Sequence, residues 1–146
     1  MERQWSKKQV WVFAGDKFRV EIVTWERFTQ AACDKFANAG FGMDTGRHAW
    51  NVYCYIYPGH PAFKFLGDRD VEATYDWPFH GGATLFERNA RDGVVISIQI
   101  GSDYSHYGDD RFSFSDKLED NKQVMADAVE LVEFLETFGD VGEEVQ

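Results

Sequence analysis

Apolar and polar residues alternate with period two along "QVWVFAGDKFRVEIVTW". This pattern predicts a hairpin: a strand over 9–14, "GD" at the turn, then Phe18, Val20 and Ile22 alternating with Arg19, Glu21 and Val23. At Thr24 the rhythm changes. Thr24 reads as a helix N-cap with Arg27 where a capping box carries Glu, so only half of that box is present. Trp25, Phe28, Ala32 and Phe36 then recur at helical spacing until Gly40 closes the helix as a left-handed cap. Period two returns in "AWNVYCYIYP", with Trp50, Val52, Cys54 and Ile56 on one face and Tyr53, Tyr55 and Tyr57 on the other. Both faces are apolar enough to be covered, which predicts a central strand. Pro58 stops it, and "GHPAFKFLG" predicts one short helical turn with Pro61 at its first position.

Two further strands are predicted over 82–88 and 94–100, joined by "NARDG", with Ile96, Ile98 and Ile100 turned toward a core. The stretch 117–138 predicts one long helix. Its apolar stripe is Val124, Ala128, Leu131, Leu135 and Phe138, with Asp127, Glu130, Glu133 and Glu136 off that stripe. Gly139 caps it and 139–146 reads as a frayed tail. The order β-β-α-β-β-β-α implies an α+β fold: one domain over 1–146, an antiparallel sheet of about five strands with two helices packed on one face.

Composition narrows the class. Thirteen Phe, six Tyr and five Trp in 146 residues supply a core and argue against disorder. The longest apolar runs are too short to span a bilayer, and no leader pattern opens the chain, so a cytoplasmic protein is expected. Cys33 and Cys54, one in a helical and one in a strand pattern, read as buried thiols in a reducing compartment. The net charge of −10 is unevenly distributed: residues 1–66 hold nine Lys/Arg against six Asp/Glu, and residues 67–146 hold six against nineteen. An acidic C-terminal half repels nucleic acid and membrane phosphates and attracts basic surfaces.

Candidate chemistry concentrates in "WPFHGGATL" and "GSDYSHYGDD". A hairpin centred near Arg91 makes paired positions sum to about 182, which sets His80 opposite roughly Ser102 and brings both stretches to one end of the sheet. That end would collect His80, Asp103, His106, Asp109 and Asp110; His80, Asp103 and His106 are the ingredients of a zinc or iron site, and Asp103-x-x-His106 could orient a histidine for proton transfer. The structural alternative is a corner in which glycines turn the backbone, Asp103 and Ser105 bond nearby amides, and His80 is buried under the Asp103–Tyr107 loop and fixes its shape. "HGG" lacks the Gly-x-Ser-x-Gly elbow that would make it part of a lipase-like site. The glycines of "GFGMDTGRH" follow a helix and precede a strand, the reverse of a dinucleotide motif. No phosphate loop, His-Glu-x-x-His or Cys-x-x-Cys is present, so no cofactor is implied. Arg47 and His48, with Tyr53, Tyr55 and Tyr57, form an alternative ligand set that would stack a nucleobase and pair with phosphate, in a pocket between subunits of an oligomer.

The segments "WNVYCYIYPGHPAF", "PFHGGATLFE" and "IGSDYSHYGDDRF", in this order, resemble a family of small phage- and prophage-encoded proteins. The similarity covers about residues 49 to 138. Where related chains carry Cys in the "IG-x-DY" stretch, this one has Ser102. The resemblance implies the context of a small acidic phage protein that binds host machinery; the charge split and the absence of a complete catalytic motif then point to a non-enzymatic protein that inhibits a host defence or nucleic-acid-processing system in the host cytoplasm. Its acidic surface would contact a host protein whose own surface is basic or binds nucleic acid, through Asp109, Asp110, Asp127, Glu130, Glu133 and Glu136.

Overall fold

A computed structural model describes residues 6–26, 35, 48–105 and 108–139. Five strands form one antiparallel sheet: β1 (Ser6–Ala14), β2 (Phe18–Glu26), β3 (His48–Ile56), β4 (Leu85–Arg91) and β5 (Val94–Asp103), in the spatial order β1-β2-β3-β5-β4. The tyrosine-bearing strand is thus the central one, as its two apolar faces imply. Helix α1 (Pro61–Leu66) follows β3, and helix α2 (Lys122–Glu136) closes the described chain. This is the α+β architecture that the period changes predict.

Alternation decides which residues enter the core. Val20 and Ile22 of β2, Trp50, Val52, Cys54 and Ile56 of β3, and Ile98 and Ile100 of β5 line one face. Onto it pack Ala62 and Leu66 of α1 and Val124, Ala128, Leu131 and Leu135 of α2, all within one cluster. The four α2 positions are those of the predicted stripe. Among the described residues, no helix is long and apolar enough to cross a membrane.

Four expectations are corrected. Thr24 is no N-cap: β2 runs through Glu26, and the buried Thr24 hydroxyl donates to the Ala49 carbonyl at 2.7 Å. A cap-like residue followed by helical spacing was outweighed by nine backbone pairings with β3. Of the helix expected there only Lys35, which is helical, is described; Phe28, Ala32, Cys33, Phe36 and Gly40 lie outside the described residues. The β4–β5 turn is tighter than expected. Asp92 and Gly93 both adopt positive φ, 53° and 80°, as a two-residue hairpin requires, so Asn89–Arg91 belong to the strand. Leu85 consequently pairs with Gly101, four positions beyond the expected register. Ile96 is 41% exposed rather than core, because β3 pairs with β5 only from Ile98 onward and the hairpin tip projects past it. Residues 117–121 form a 3₁₀ turn (Leu118–Asp120) and a cap before α2 rather than its first turn.

His60 ties the two helices together. Its Nδ1 accepts the Ala62 amide at 3.0 Å, so Nε2 carries the proton and donates to the Leu135 carbonyl at 2.8 Å. Burial holds its pKa below the ordinary value of 6.5, with a smaller opposing effect from the Leu135 bond. The neutral ring is therefore favoured by folding, and its contribution is present above pH 6.5 and lost as pH falls through the depressed folded value. We expect the stability gap between wild type and His60→Gln, measured by urea unfolding, to be widest at pH 7–8 and to narrow below about pH 6. A gap that widens on acidification would contradict this sign.

Candidate functional site

Three places concentrate chemistry, and the first is the corner at His80. The two glycine-bearing stretches meet, and the partner His80 finds is Asp109, one of the residues expected at this end of the sheet. Gly81 and Gly82 take positive φ, 69° and 85°, and turn the chain so that His80 faces the segment after β5. The His80 Nε2 lies 2.9 Å from both carboxylate oxygens of the buried Asp109. Its ring stacks on Tyr104 with centroids 4.3 Å apart, and Phe112 meets it edge-on at 5.6 Å. The Tyr104 hydroxyl donates to Asp127 of α2 at 2.5 Å. Burial first, then that carboxylate, pushes the Tyr104 pKa upward, so the phenol stays protonated and acts as a fixed donor.

Asp103 does not join His80. Its carboxylate accepts the Ser105 amide at 3.0 Å and the Thr84 hydroxyl at 3.3 Å, which is the work of a turn residue. His106 lies outside the described residues, and among those described no three His, Cys, Asp or Glu side chains are grouped to hold a metal ion. Among the described residues, Nε2 is engaged by both Asp109 oxygens. His80 is half-buried rather than buried; it contacts the Asp109 carboxylate and the Tyr104 ring, and residues 106 and 107 of the loop lie outside the described residues. Ser102 is 1% exposed and pairs with Val52, so that position belongs to the packed interior.

The second place is the outward face of the sheet. Tyr53 and Tyr55 of β3, Glu21, Val23 and Trp25 of β2, Lys8 of β1 and Gln99 of β5 line a hollow of about 190 Å³. Gly101 makes room for it: a Cβ there would collide with the Tyr53 ring. The Tyr55 hydroxyl accepts from the Gln99 amide at 3.0 Å, and the Arg19 guanidinium sits 4.4 Å over the Tyr55 ring while pairing with Glu21 at 3.0 Å. Burial, then the neighbouring Tyr55, Asp103 and Glu21 charges, pushes the Tyr53 pKa up to about 12; burial and Glu21 raise that of Tyr55. Both phenols therefore remain neutral donors and stacking surfaces at physiological pH. Tyr57 and His48 do not line this hollow, and Arg47 lies outside the described residues. The alternating face Arg19, Glu21, Val23 and Trp25 was the available signal for the missing members. It was obscured by ending β2 at Thr24.

The third place is the solvent side of α2. Glu130 and Glu133, one turn apart and both exposed, share with Asp76 a hollow of about 440 Å³ lined also by Pro78, Phe134 and Thr137. Phe134 is held there by Trp77 at 5.0 Å and Phe138 at 5.6 Å. Glu136 is exposed one turn beyond Glu133. Two members of the expected acidic surface are corrected: Asp109 is buried on His80, and Asp127 is engaged by Tyr104. Charged side chains near a buried aromatic corner serve as its acceptors before they face solvent. The Asp110 side chain lies outside the described residues. Asp76, which the sequence pattern did not single out, takes its place by folding back beside α2.

The Cys54 thiol is fully buried, and burial raises its pKa, so it is no nucleophile. No family model matches the chain, and comparison with curated proteins and with solved structures likewise found no match.

Proposed function

We propose that this protein is a non-enzymatic binding protein whose α2 face captures a basic surface on another protein. The observation that carries this reading is the hollow that Asp76, Glu130 and Glu133 line together with Phe134. An aromatic floor with a carboxylate rim suits an arginine or lysine side chain, whose stem packs on the ring while its charge meets the acids. The nineteen acids against six bases in residues 67–146 extend the same field around it and steer a basic partner toward this face. The resemblance to phage-encoded proteins supplies the context: inhibition of a host defence or nucleic-acid-processing enzyme, inside the host cytoplasm, by occupying the surface that enzyme offers to nucleic acid.

The test is a pull-down from bacterial lysate with wild type and with Glu130→Lys/Glu133→Lys. Wild type should retain a basic, nucleic-acid-binding protein that salt elutes. The double variant should bind it more than about tenfold more weakly and with a flatter salt dependence. Recovery of the same proteins by both chains rejects this face.

The outward hollow favours a second reading, as a trap for a nucleotide signal. Its 190 Å³ is small against the roughly 300–1,000 Å³ of drug-sized sites, so it accommodates one planar base between Trp25, Tyr53 and Tyr55. A thermal-shift panel of linear and cyclic nucleotides checks it, with Tyr53→Ala as control; this reading requires a rise in Tm that the variant loses.

A further inference from the structure

Hydrogen-bonding groups are unevenly distributed around the outward hollow. Strand register fixes their plan. Glu21 pairs with Tyr53 and Arg19 with Tyr55, so a carboxylate and a guanidinium stand beside successive phenols of the central strand. On the other side of β3, Tyr53 pairs with Gly101 and Tyr55 with Gln99. The Tyr53 ring lies over Gly101, where a Cβ would meet it. Val23, which is buried, and Trp25 continue the apolar lining toward the exposed Lys8.

Glu21 is the one carboxylate in this lining. Its side chain is only 15% exposed, and Oε2 lies 3.0 Å from the Arg19 Nε, which anchors it. A carboxylate paired with a guanidinium accepts and does not donate. Each of its oxygens has two lone pairs, so Arg19 leaves acceptor capacity for a ligand. Gln99 adds to that capacity: its amide nitrogen donates to the Tyr55 hydroxyl at 3.0 Å, which leaves Oε1 as an acceptor. Donors come from the two phenols, which burial keeps protonated, and from the Lys8 ammonium.

We propose, on the nucleotide reading of this hollow, that it selects guanine, with Glu21 accepting from N1–H and the N2 amino group while Trp25, Tyr53 and Tyr55 hold the ring. Two adjacent N–H donors are what a carboxylate requires, and the pairing edge of guanine supplies them. Adenine and cytosine each present one amino group beside a ring-nitrogen lone pair, and uracil flanks its single N–H with carbonyl oxygens. Each of these sets an acceptor against the carboxylate. The aromatic walls stack any base, so discrimination falls to Glu21, whose burial makes an unmatched acceptor costly. A 5′-phosphate on the same nucleotide would meet Lys8.

Calorimetric titration of the full chain with guanosine, inosine and adenosine monophosphates tests this without any variant. The guanosine nucleotide should bind about 10- to 100-fold more tightly than the adenosine nucleotide, the range that one bidentate pair discriminates. Inosine monophosphate, which lacks the N2 amino group, should fall between them. Glu21→Gln keeps the length of the side chain and should bring guanosine monophosphate to the level of adenosine monophosphate, with a thermal melt confirming the fold. Lys8→Ala should narrow the gap between guanosine monophosphate and guanosine while leaving the order of the bases unchanged. Equal binding of all three nucleotides, lost in Tyr53→Ala, overturns guanine selection while the nucleotide reading stands. Binding of none of them overturns both. A preference that survives Glu21→Gln, or free arginine bound as tightly as guanosine monophosphate, also overturns the selection, since Glu21 would then serve no base or would serve any guanidinium.

Discussion

Replacing His80 with alanine should lower stability by about 3 kcal/mol while leaving partner binding intact in the folded fraction. The magnitude follows from the position of Asp109. Its carboxylate is 7% exposed and both oxygens lie 2.9 Å from the His80 Nε2, so truncation leaves a buried charge without this donor. The stacked face of Tyr104 is uncovered at the same time. Urea unfolding at pH 7 measures the loss through the midpoint, with the slope reporting any change in the unfolded state. His80→Ala combined with Asp109→Asn should cost less than the sum of the single changes, since each removes what the other needs. A variant that kept full stability yet lost its biological effect would instead make this corner a working site.

Trp50→Ala should be at least as costly, about 3–5 kcal/mol, which for a chain of this size lowers Tm by roughly 10 °C. Trp50 is 1% exposed on the central strand. It stacks on Trp11 of β1, with centroids 5.7 Å apart and planes 15° from parallel, and its indole donates to the Ser115 carbonyl at 3.0 Å. One side chain thus joins the sheet, the first hairpin and the segment that leads into α2. Trp50→Phe separates the parts: it keeps a stacking ring, omits the indole donor, and should lose about 1–2 kcal/mol through the Ser115 carbonyl. Thermal melts of the two variants check the division.

Elements whose pattern is set by local sterics and by one buried face were legible in the chain. Period two placed β1, β3 and β5, because a pleated strand turns alternate residues to opposite sides whatever lies beside it. The 4-3-4 spacing of Val124, Ala128, Leu131 and Leu135 determined which side of α2 is buried. Asp92-Gly93 was legible as a turn; that it is the entire turn was not, since strand pairing through Arg91 decided its length. That β2 continues through Thr24 and Trp25 was not legible, because pairing with β3 outweighs a local capping preference. The fates of the charges were decided by packing too. Asp109, Asp127, Glu130 and Glu133 look alike in the chain; which of them faces water depends on where His80 and Tyr104 come to rest. An ionisable side chain carries no periodic signal of its own partner, so the acidic hollow around Phe134 became visible only when Asp76 was brought beside α2 by a chain that travels through the core in between.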